Sequence, residues 1–242
     1  MNTPRFFVPP EAIRGDRVYF APDQAHQIYR VLRLRPDQVV YVLDNRGNVY
    51  TVRLDRVTRG EVVGRIVDRR EATGEPPLRI TLYQALLKGE KMDWVLQKGT
   101  EVGVHTFVPL LTGRSVVRRR EHKPRWERIL REAAEQSGRA FIPRLAPVHT
   151  WEEALAAVPS FPLCLLAHPA EEAPPLREVV REGGVDSVGV FVGPEGGFTE
   201  EEVRAAVERG CRPVRLGPRI LRAETAAVVI VTLLLHRWGD IG

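Results

Sequence analysis

The stretch Val190–Glu202, which reads VFVGPEGGFTEEE, decides the fold. Its apolar start predicts the end of a buried strand, and a Gly-Pro-Glu-Gly-Gly turn follows at once. Thr199 and Glu202, three residues later, form a capping box that begins a helix. A strand that passes through a glycine-rich turn into a helix is the repeating unit of α/β domains with parallel sheets.

The charges around this turn indicate which ligands it favours. Paired glycines after a strand allow a ligand to approach the backbone closely, and phosphate-binding loops use the same device. Here Glu195 lies in the turn, glutamates follow at 200–202, and no Lys or Arg occurs between Arg181 and Arg204. These charges argue against a P-loop or a dinucleotide site and favour a neutral or cationic ligand. A plain tight turn without a ligand explains the same residues.

A second loop of the same kind lies at Leu216–Ala226, which reads LGPRILRAETA. It leaves a strand through a Gly-Pro turn and brings Arg222, Glu224 and Thr225 to the first turn of an apolar helix. An acidic residue at this place interacts favourably with the helix dipole, which by itself accounts for Glu224. An arginine works against the dipole, so Arg222 indicates a functional role.

Strand and helix patterns alternate from residue 78 to the end of the chain. The strand patterns lie at 78–86, 105–110, 144–148, 161–167, 187–192 and 213–216. The helical patterns lie at 91–102, 123–137, 151–157, 176–182, 199–209 and 222–238. This alternation predicts an α/β fold with a mostly parallel sheet covered by helices and a ligand site at the carboxyl ends of the strands.

The first 72 residues have a different organisation. Short strand patterns lie at 17–20, 38–43, 49–54 and 61–67, and one helical pattern runs over 22–34. Together they predict a small β-barrel with one helix. The sequence ATGEPP at 72–77 is typical of a linker, so we expect an N-terminal domain over residues 1–72 and a second domain over residues 73–242.

The composition excludes several classes of protein. With 242 residues, 43% of them hydrophobic, the chain can bury a sizeable core. Cys164 and Cys211 form no CxxC pair, which argues against a secreted fold held together by disulfides. The six histidines do not have the spacing of metal ligands, which argues against a metal site. The N-terminus lacks the features of a signal peptide, and the longest apolar run, 226–235, is shorter than the roughly 20 residues of a membrane span. We therefore expect a cytoplasmic protein.

The charged residues are unevenly distributed. The formal net charge is +5, from 36 Lys+Arg and 31 Asp+Glu, and only four of the 36 are lysines. An arginine excess is typical of GC-rich genomes and hot habitats as well as of nucleic-acid binding. Residues 1–72 carry +4 and residues 112–144 carry +6, whereas residues 145–242, which include both glycine-rich loops, carry −5. Two basic segments on a nearly neutral chain indicate a polyanionic partner.

Two groups of cations are candidates for contacts with RNA phosphates. His26, Arg30 and Arg33 are spaced i, i+4 and i+7 on one face of the predicted helix. The other group consists of three of the four lysines, which fall within eleven residues: Lys88, Lys91 and Lys98. A solvated helix face explains the same spacing in each group, and phosphate contact is the functional alternative.

The two glycine-rich loops resemble the cofactor loops of the SPOUT class of S-adenosylmethionine-dependent RNA methyltransferases. Within that class, the resemblance is strongest to the enzymes that methylate N3 of one uridine in 16S ribosomal RNA. Further segments that resemble these enzymes lie at 5–8, 26–33, 88–103, 114–115 and 132–139, in the same order along the chain as in the family. Together they sample nearly the whole chain.

The resemblance implies a fold, a cofactor and partners. The fold is a PUA-like barrel followed by an α/β domain that is closed by a trefoil knot and forms a homodimer. The cofactor is S-adenosylmethionine and the substrate is 16S ribosomal RNA or the small ribosomal subunit, with no metal and no membrane. The implied cofactor residues are Leu166, His168, Gly193, Pro194, Glu195, Gly196, Gly197, Leu216, Gly217, Ile220, Leu221, Arg222 and Thr225. Besides the two groups above, the implied RNA contacts are Arg5, Arg114 and Arg139.

Methyl transfer to uracil N3 requires loss of a weakly acidic imide proton and in-line approach of the nitrogen to the methyl group. The enzyme then contributes orientation and stabilisation of the uracil anion. Arg222 is the first candidate for the stabilising charge, at O2 or O4. Glu195 and Glu224 are the candidate bases, and positioning of the cofactor is the alternative role for either. The acidic flank of the first loop agrees with the cationic sulfonium and amino groups of the cofactor.

Two other functions are weighed against this one. One is a non-catalytic RNA-binding ribosome assembly factor with the same fold. This function accounts for the basic segments but not for the two glycine-rich loops. A nucleotide-dependent α/β enzyme requires a glycine-rich phosphate fingerprint after its first strand, which the sequence lacks.

Overall fold

The structure, a computed structural model, describes residues 3–118, 120–180 and 183–242. These residues form two compact units. The first unit contains the chain up to Glu75 together with Ala134–Ile142, and the second contains Pro76–Ala133 and Pro143–Gly242.

A six-stranded sheet forms the first unit. Its strands are β1 (Arg5–Phe7), β2 (Ile13–Arg14), β3 (Arg17–Tyr19), β4 (Val39–Leu43), β5 (Asn48–Val57) and β6 (Val62–Glu71). They lie in the order β1-β4-β5-β6-β3-β2, with β1 parallel to β4 and every other pair antiparallel. Apolar side chains that alternate along the strands, among them Phe6, Val40 and Leu54, pack around Ile28 in one core. Bulges in the pairing of β5 with β6 bend these long strands.

The four strands predicted for this unit are confirmed, and the predicted helix is corrected. α1 (Pro22–His26) continues into a π-helical turn over Gln27–Val31, and Arg33 beyond it has a φ of 51°. A wider turn shifts the side chains that follow it, so His26, Arg30 and Arg33 do not share one α-helical face. The strands β1 and β2 were not predicted, because segments of three and two residues are too short to show a periodicity.

The sheet of the second unit is parallel throughout. Its strands are β7 (Arg79–Ala85), β8 (Thr106–Leu110), β9 (Arg144–Leu145), β10 (Leu163–Ala167), β11 (Ser187–Val192) and β12 (Arg212–Val214). They lie in the order β12-β10-β11-β7-β8-β9. The predicted α/β architecture with a parallel sheet is therefore confirmed.

Helices follow most of these strands. They are α2 (Lys91–Val102), α3 (Arg125–Ser137), α4 (Trp151–Ala156), α5 (Leu176–Val179), α6 (Glu200–Glu208) and α7 (Ala223–Trp238). Short 3-10 turns lie at Pro10–Ala12 and Val158–Ser160. Residues 181 and 182, the end of the helix predicted over 176–182, lie outside the described residues. None of the helices in the described ranges has the length and apolar character needed to cross a membrane.

Both faces of the central strands are buried, which explains their nearly continuous apolar sequences. Tyr83 of β7 stacks on Phe191 of β11 with ring centroids 4.3 Å apart. Trp126 is 1% exposed and donates a hydrogen bond of 2.8 Å from Nε1 to Asp93. Trp94 of α2, in contrast, is 41% exposed although it is a large apolar residue.

A buried ion pair holds the segment Ala134–Ile142 within the first unit. Arg139 is 5% exposed and donates from Nε and Nη2 to the carboxylate of Glu75, at 3.0 and 2.6 Å. The same carboxylate accepts the backbone amide of Ala140 at 2.8 Å. Arg5 donates to the carbonyl of Gly138 at 2.7 Å.

Substitution Glu75→Ala is expected to destabilise the protein. Because it removes the bidentate partner of a buried guanidinium, the free energy of unfolding should fall by about 3 kcal/mol. Denaturant titration of the wild type and the variant measures this difference. Glu61→Ala is the matched control, since the Arg56–Glu61 pair is exposed on both sides and water screens it. Equal stability losses in the two variants would contradict a structural role for the Glu75–Arg139 pair.

Candidate active site

A cavity of about 430 Å³ lies at the carboxyl ends of β10, β11 and β12. Three loops form it, one after each of these strands, and residues of α2 and α7 complete its wall. Its lining residues are Lys91, Ala167, His168, Pro169, Val192, Gly193, Pro194, Glu195, Gly197, Phe198, Val214, Leu216, Gly217, Pro218, Arg219, Ile220, Leu221, Arg222, Ala223 and Ala226. The predicted position of the ligand site, at the carboxyl edge of the parallel sheet, agrees with this cavity.

The glycine-rich turn after β11 requires its glycines. Gly197 has a φ of 69°, and its amide donates to the carbonyl of Pro194 at 2.9 Å. A Cβ on Gly193 would lie 3.3 Å from the backbone of Gly197, which is tighter than ordinary contact. The turn therefore keeps a narrow form that larger residues would widen.

Arg114 and Glu202 support the turn with hydrogen bonds. Arg114 donates from Nη1 to the carbonyls of Gly196 and Phe198 at 2.9 and 3.1 Å. Glu202 is 8% exposed, and its carboxylate accepts the amide of Thr199 at 2.8 Å, as the predicted capping box requires, and that of Gly113 at 2.6 Å. Glu202 is therefore a structural group of the loop.

The expected acidic surroundings of the turn are largely absent from the cavity. Of the four glutamates at 195 and 200–202, Glu195 is the one that lines it. Glu200 and Glu201 are exposed in the first turn of α6, where they interact well with the helix dipole. Arg219 and Arg222 also line the cavity, so its charges are mixed.

Lys91 lies between two carboxylates at the cavity. Its Nζ is 2.9 Å from Oε1 of Glu195 and 3.9 Å from Oε2 of Glu224. The Oε2 atom of Glu224 is buried and accepts no hydrogen bond from the described residues. Burial alone would raise the pKa of Glu195, but hydrogen bonds from Lys91 and from backbone amides, including that of Lys88, outweigh burial, so this pKa lies below its usual value.

Ten of the thirteen predicted cofactor residues line the cavity: His168, Gly193, Pro194, Glu195, Gly197, Leu216, Gly217, Ile220, Leu221 and Arg222. Leu166 is fully buried within β10, and Gly196 lies against the side chain of Arg114. Thr225 and Glu224, which is one of the two candidate bases, stand in the first turn of α7, next to the lining residues Ala223 and Ala226.

Several apolar residues of the cavity wall were not predicted from the sequence. Val192 and Val214 end strands and Phe198 follows the glycine-rich turn, and all three are largely buried. Their sequence pattern is that of core residues, so it carried no signal of a binding role. Lys91 lines the cavity as well, although its spacing suggested an RNA contact.

The predicted RNA contacts differ widely in exposure. His26, Arg30, Arg33, Lys88 and Arg114 are exposed. Arg5, Lys91 and Lys98 are half-buried, and Lys98 pairs with Glu101 one turn along α2 at 2.8 Å. Arg139 is buried against Glu75, which leaves little of its guanidinium for a phosphate. Arg119, another arginine of the basic segment over residues 112–144 and a plausible phosphate contact, lies outside the described residues.

Comparison with known families identifies two domains in the chain. The family model described as RNA methyltransferase domain matches residues 74–235, and the model described as RNA methyltransferase PUA domain matches residues 20–67. Among the described residues, no group of three His, Cys, Asp or Glu side chains is arranged to hold a metal ion. The fold and the cavity thus define an RNA methyltransferase with an N-terminal PUA domain.

Individual relatives specify the family further. The ribosomal RNA small subunit methyltransferase E of Synechocystis is 35% identical over 93% of this chain and 75% of its own length. The enzyme of the same name from Bacillus subtilis is 31% identical over 89% of this chain and 88% of its own. The crystal structure of the Neisseria gonorrhoeae methyltransferase E bound to S-adenosyl methionine matches with a TM-score of 0.90, 35% identity and full coverage of both chains. The chain belongs to this methyltransferase family.

The Glu195 carboxylate makes the stability of the folded protein depend on pH. Because its pKa is lowered in the folded state, its contribution to stability is complete above the ordinary glutamate pKa of 4.5 and is lost as the pH falls through the lowered value. The stability difference between wild type and Glu195→Gln should therefore shrink when the pH is lowered from neutral to about 3.5. Urea titrations at several pH values test this, and a pH-independent difference would be inconsistent with the ion pair.

Proposed function

We propose that the protein transfers a methyl group from S-adenosylmethionine to N3 of a specific uridine in 16S ribosomal RNA. The observation that carries the proposal is the cavity formed by the three loops after β10, β11 and β12, in a chain whose relative of the same fold binds that cofactor. Residues 73–242 would form the methyltransferase domain and residues 1–72 the RNA-binding domain. The protein would act in the cytoplasm, on free RNA or on the small ribosomal subunit.

The cavity fits the proposed cofactor in size and in chemistry. Its volume lies within the range of roughly 300–1,000 Å³ that is typical of small-molecule sites. Apolar side chains such as Val192 and Phe198 suit an adenine ring, and Glu195 supplies a negative charge for a cationic group. The buried Oε2 of Glu224, which accepts no hydrogen bond from the described residues, is a further acceptor beside the cavity.

The bound cofactor would supply an electrophilic methyl group on a sulfonium centre. The protein's own residues would then hold the uracil ring in line with that methyl group and stabilise the anion left when N3 loses its proton. Arg222 fits the second task, because its cation stands at the cavity and at the start of α7, where the helix dipole gives it no stabilisation. Glu195 or Glu224 would accept the proton or position the cofactor.

We further propose that the protein forms a homodimer. Trp94 of α2 and Leu233 of α7 are each 41% exposed, and these two helices pack against each other. Large apolar side chains exposed on packed helices fit contact with a second copy. The trefoil knot implied by the family resemblance stays a prediction.

The proposed reaction is tested with 16S ribosomal RNA and small subunits from a strain that lacks this methyltransferase. Purified protein and S-adenosylmethionine should introduce N3-methyluridine at one position, measured by mass spectrometry of the nucleosides. Absence of this product from both substrates would refute the assignment. Calorimetry separates the alternative, a non-catalytic assembly factor, since such a factor would bind RNA but no S-adenosylmethionine even at millimolar concentration.

Substitution Arg222→Ala tests the role of the cation at the cavity. If Arg222 stabilises the uracil anion, kcat should fall by about 10²–10³, the usual effect of removing one such group. The dissociation constant of S-adenosylmethionine should stay near the wild-type value, because the anion develops on the RNA base. Equal losses of cofactor affinity and turnover would instead indicate that Arg222 binds the cofactor.

Substitutions Arg30→Ala and Arg33→Ala test the RNA-binding role of the first unit. Both side chains are exposed, and removing one arginine–phosphate interaction should reduce the slope of log affinity against log salt by about 1. Arg56→Ala is the matched control, because Arg56 is an exposed arginine of the same unit that already pairs with Glu61 at 2.6 Å. Unchanged slopes for Arg30→Ala and Arg33→Ala would exclude these residues from the RNA-binding surface.

A further inference from the structure

Lys91 is placed where a helix disfavours a cation. It is the first residue of α2, and the amide groups at the start of a helix carry a partial positive charge. A lysine in this position needs a compensating interaction nearby. The structure supplies two, because the carboxylates of Glu195 and Glu224 both face its ammonium group.

These three side chains connect three elements around the cavity. Lys91 begins α2, Glu195 belongs to the loop after β11, and Glu224 stands in the first turn of α7. The side chains of Lys91 and Glu195 are 36% and 31% exposed, and that of Glu224 is 14% exposed. The backbone amide of Lys88, three residues before α2, donates to the same oxygen of Glu195 at 3.4 Å, so this carboxylate is bound both by Lys91 and by the chain that leads into α2.

We propose that Lys91 is a positioning residue of the active site, whose ammonium group holds the carboxylates of Glu195 and Glu224 in place at the cavity. This inference rests on the proposed function and gives Lys91 a role that differs from the RNA contact expected from its spacing. Lys91 acts through the two glutamates, so its removal should affect cofactor binding and turnover more than RNA binding.

Lys98 provides a matched control on the same helix. It lies seven residues after Lys91 and is 37% exposed, close to the 36% of Lys91. Its ammonium group pairs with Glu101 within α2, and it is not among the residues that line the cavity. If the lysines of α2 contact RNA, substitution of either one should weaken RNA binding. If Lys91 acts at the cavity, substitution of Lys91 alone should change cofactor binding or kcat.

The experiment compares Lys91→Met, Lys91→Arg and Lys98→Met in the full-length protein. Calorimetry measures the dissociation constant of S-adenosylmethionine, and initial rates with the small subunit or 16S RNA give kcat and the KM for RNA. Loss of a charged hydrogen bond should weaken cofactor binding or lower kcat by about tenfold or more in Lys91→Met. The KM for RNA should stay within about twofold of the wild-type value, because Lys91 acts on the two glutamates and not on the RNA. Lys91→Arg should recover most of the loss, and Lys98→Met should leave the cofactor dissociation constant and kcat near their wild-type values, because Lys98 does not line the cavity.

A double substitution keeps the test independent of small changes in stability. If Lys91 acts through Glu195, Lys91→Met combined with Glu195→Gln should lose little more than either single variant, since groups that act as a unit are not additive. Thermal unfolding confirms that each variant is folded, and Lys91→Gln replaces Lys91→Met if that variant is not. Fully additive losses in the double variant would overturn the proposal.

The remaining outcomes separate this inference from the proposed function. An active wild type, combined with unchanged cofactor affinity and kcat in Lys91→Met, overturns the positioning role alone. A raised KM for RNA as the sole effect of Lys91→Met overturns it in favour of an RNA contact. A wild type that neither binds S-adenosylmethionine nor methylates RNA overturns the proposed function and the positioning role together.

Discussion

The side-by-side pairing of three parallel strands, β12, β10 and β11, is the constraint on which the active site depends. β10 pairs with β12 on one side and with β11 on the other, and apolar residues such as Leu165 and Val190 are fully buried on the sheet. Parallel strands end at the same edge of the sheet, so the three loops that follow must meet there. The cavity is a consequence of this pairing, although its loops are far apart along the chain.

The basic residues of this protein divide into groups with different tasks. Arg139 is itself buried and pairs with the carboxylate of Glu75, and Arg114 holds the carbonyls of the glycine-rich turn, so both stabilise the fold. Lys91 and Arg222 stand at the cavity, and Arg30 remains exposed on the first unit. Net charge by segment correctly indicated an RNA partner for this family, but the +6 counted over residues 112–144 includes Arg114 and Arg139, which hold other parts of the protein.

Long and strongly periodic segments were predictable, and short or irregular ones were not. The bounds of α2 and β11 agree with their sequence patterns to the residue, because each pattern begins and ends at clear signals. A π-helical turn and the positive φ of Arg33 interrupt the helix predicted over 22–34. Hydrophobic periodicity carries no signal of either feature, so the interruption was not predicted. Trp94 shows the same limit, since a large apolar residue on a helix is exposed or buried according to its neighbours.

The sequence by itself determined the fold class, the two glycine-rich loops and the family resemblance, because these depend on residue order and local periodicity. It also placed Glu195, Arg222 and Glu224 among the candidates for the chemistry. Only the tertiary structure decided that Lys91 stands between Glu195 and Glu224 and that Arg139 is buried against Glu75. The partners in these pairs are 64 or more residues apart along the chain, so no local pattern could reveal them. Side-chain contacts of this kind exist only after burial and strand order have brought distant segments together.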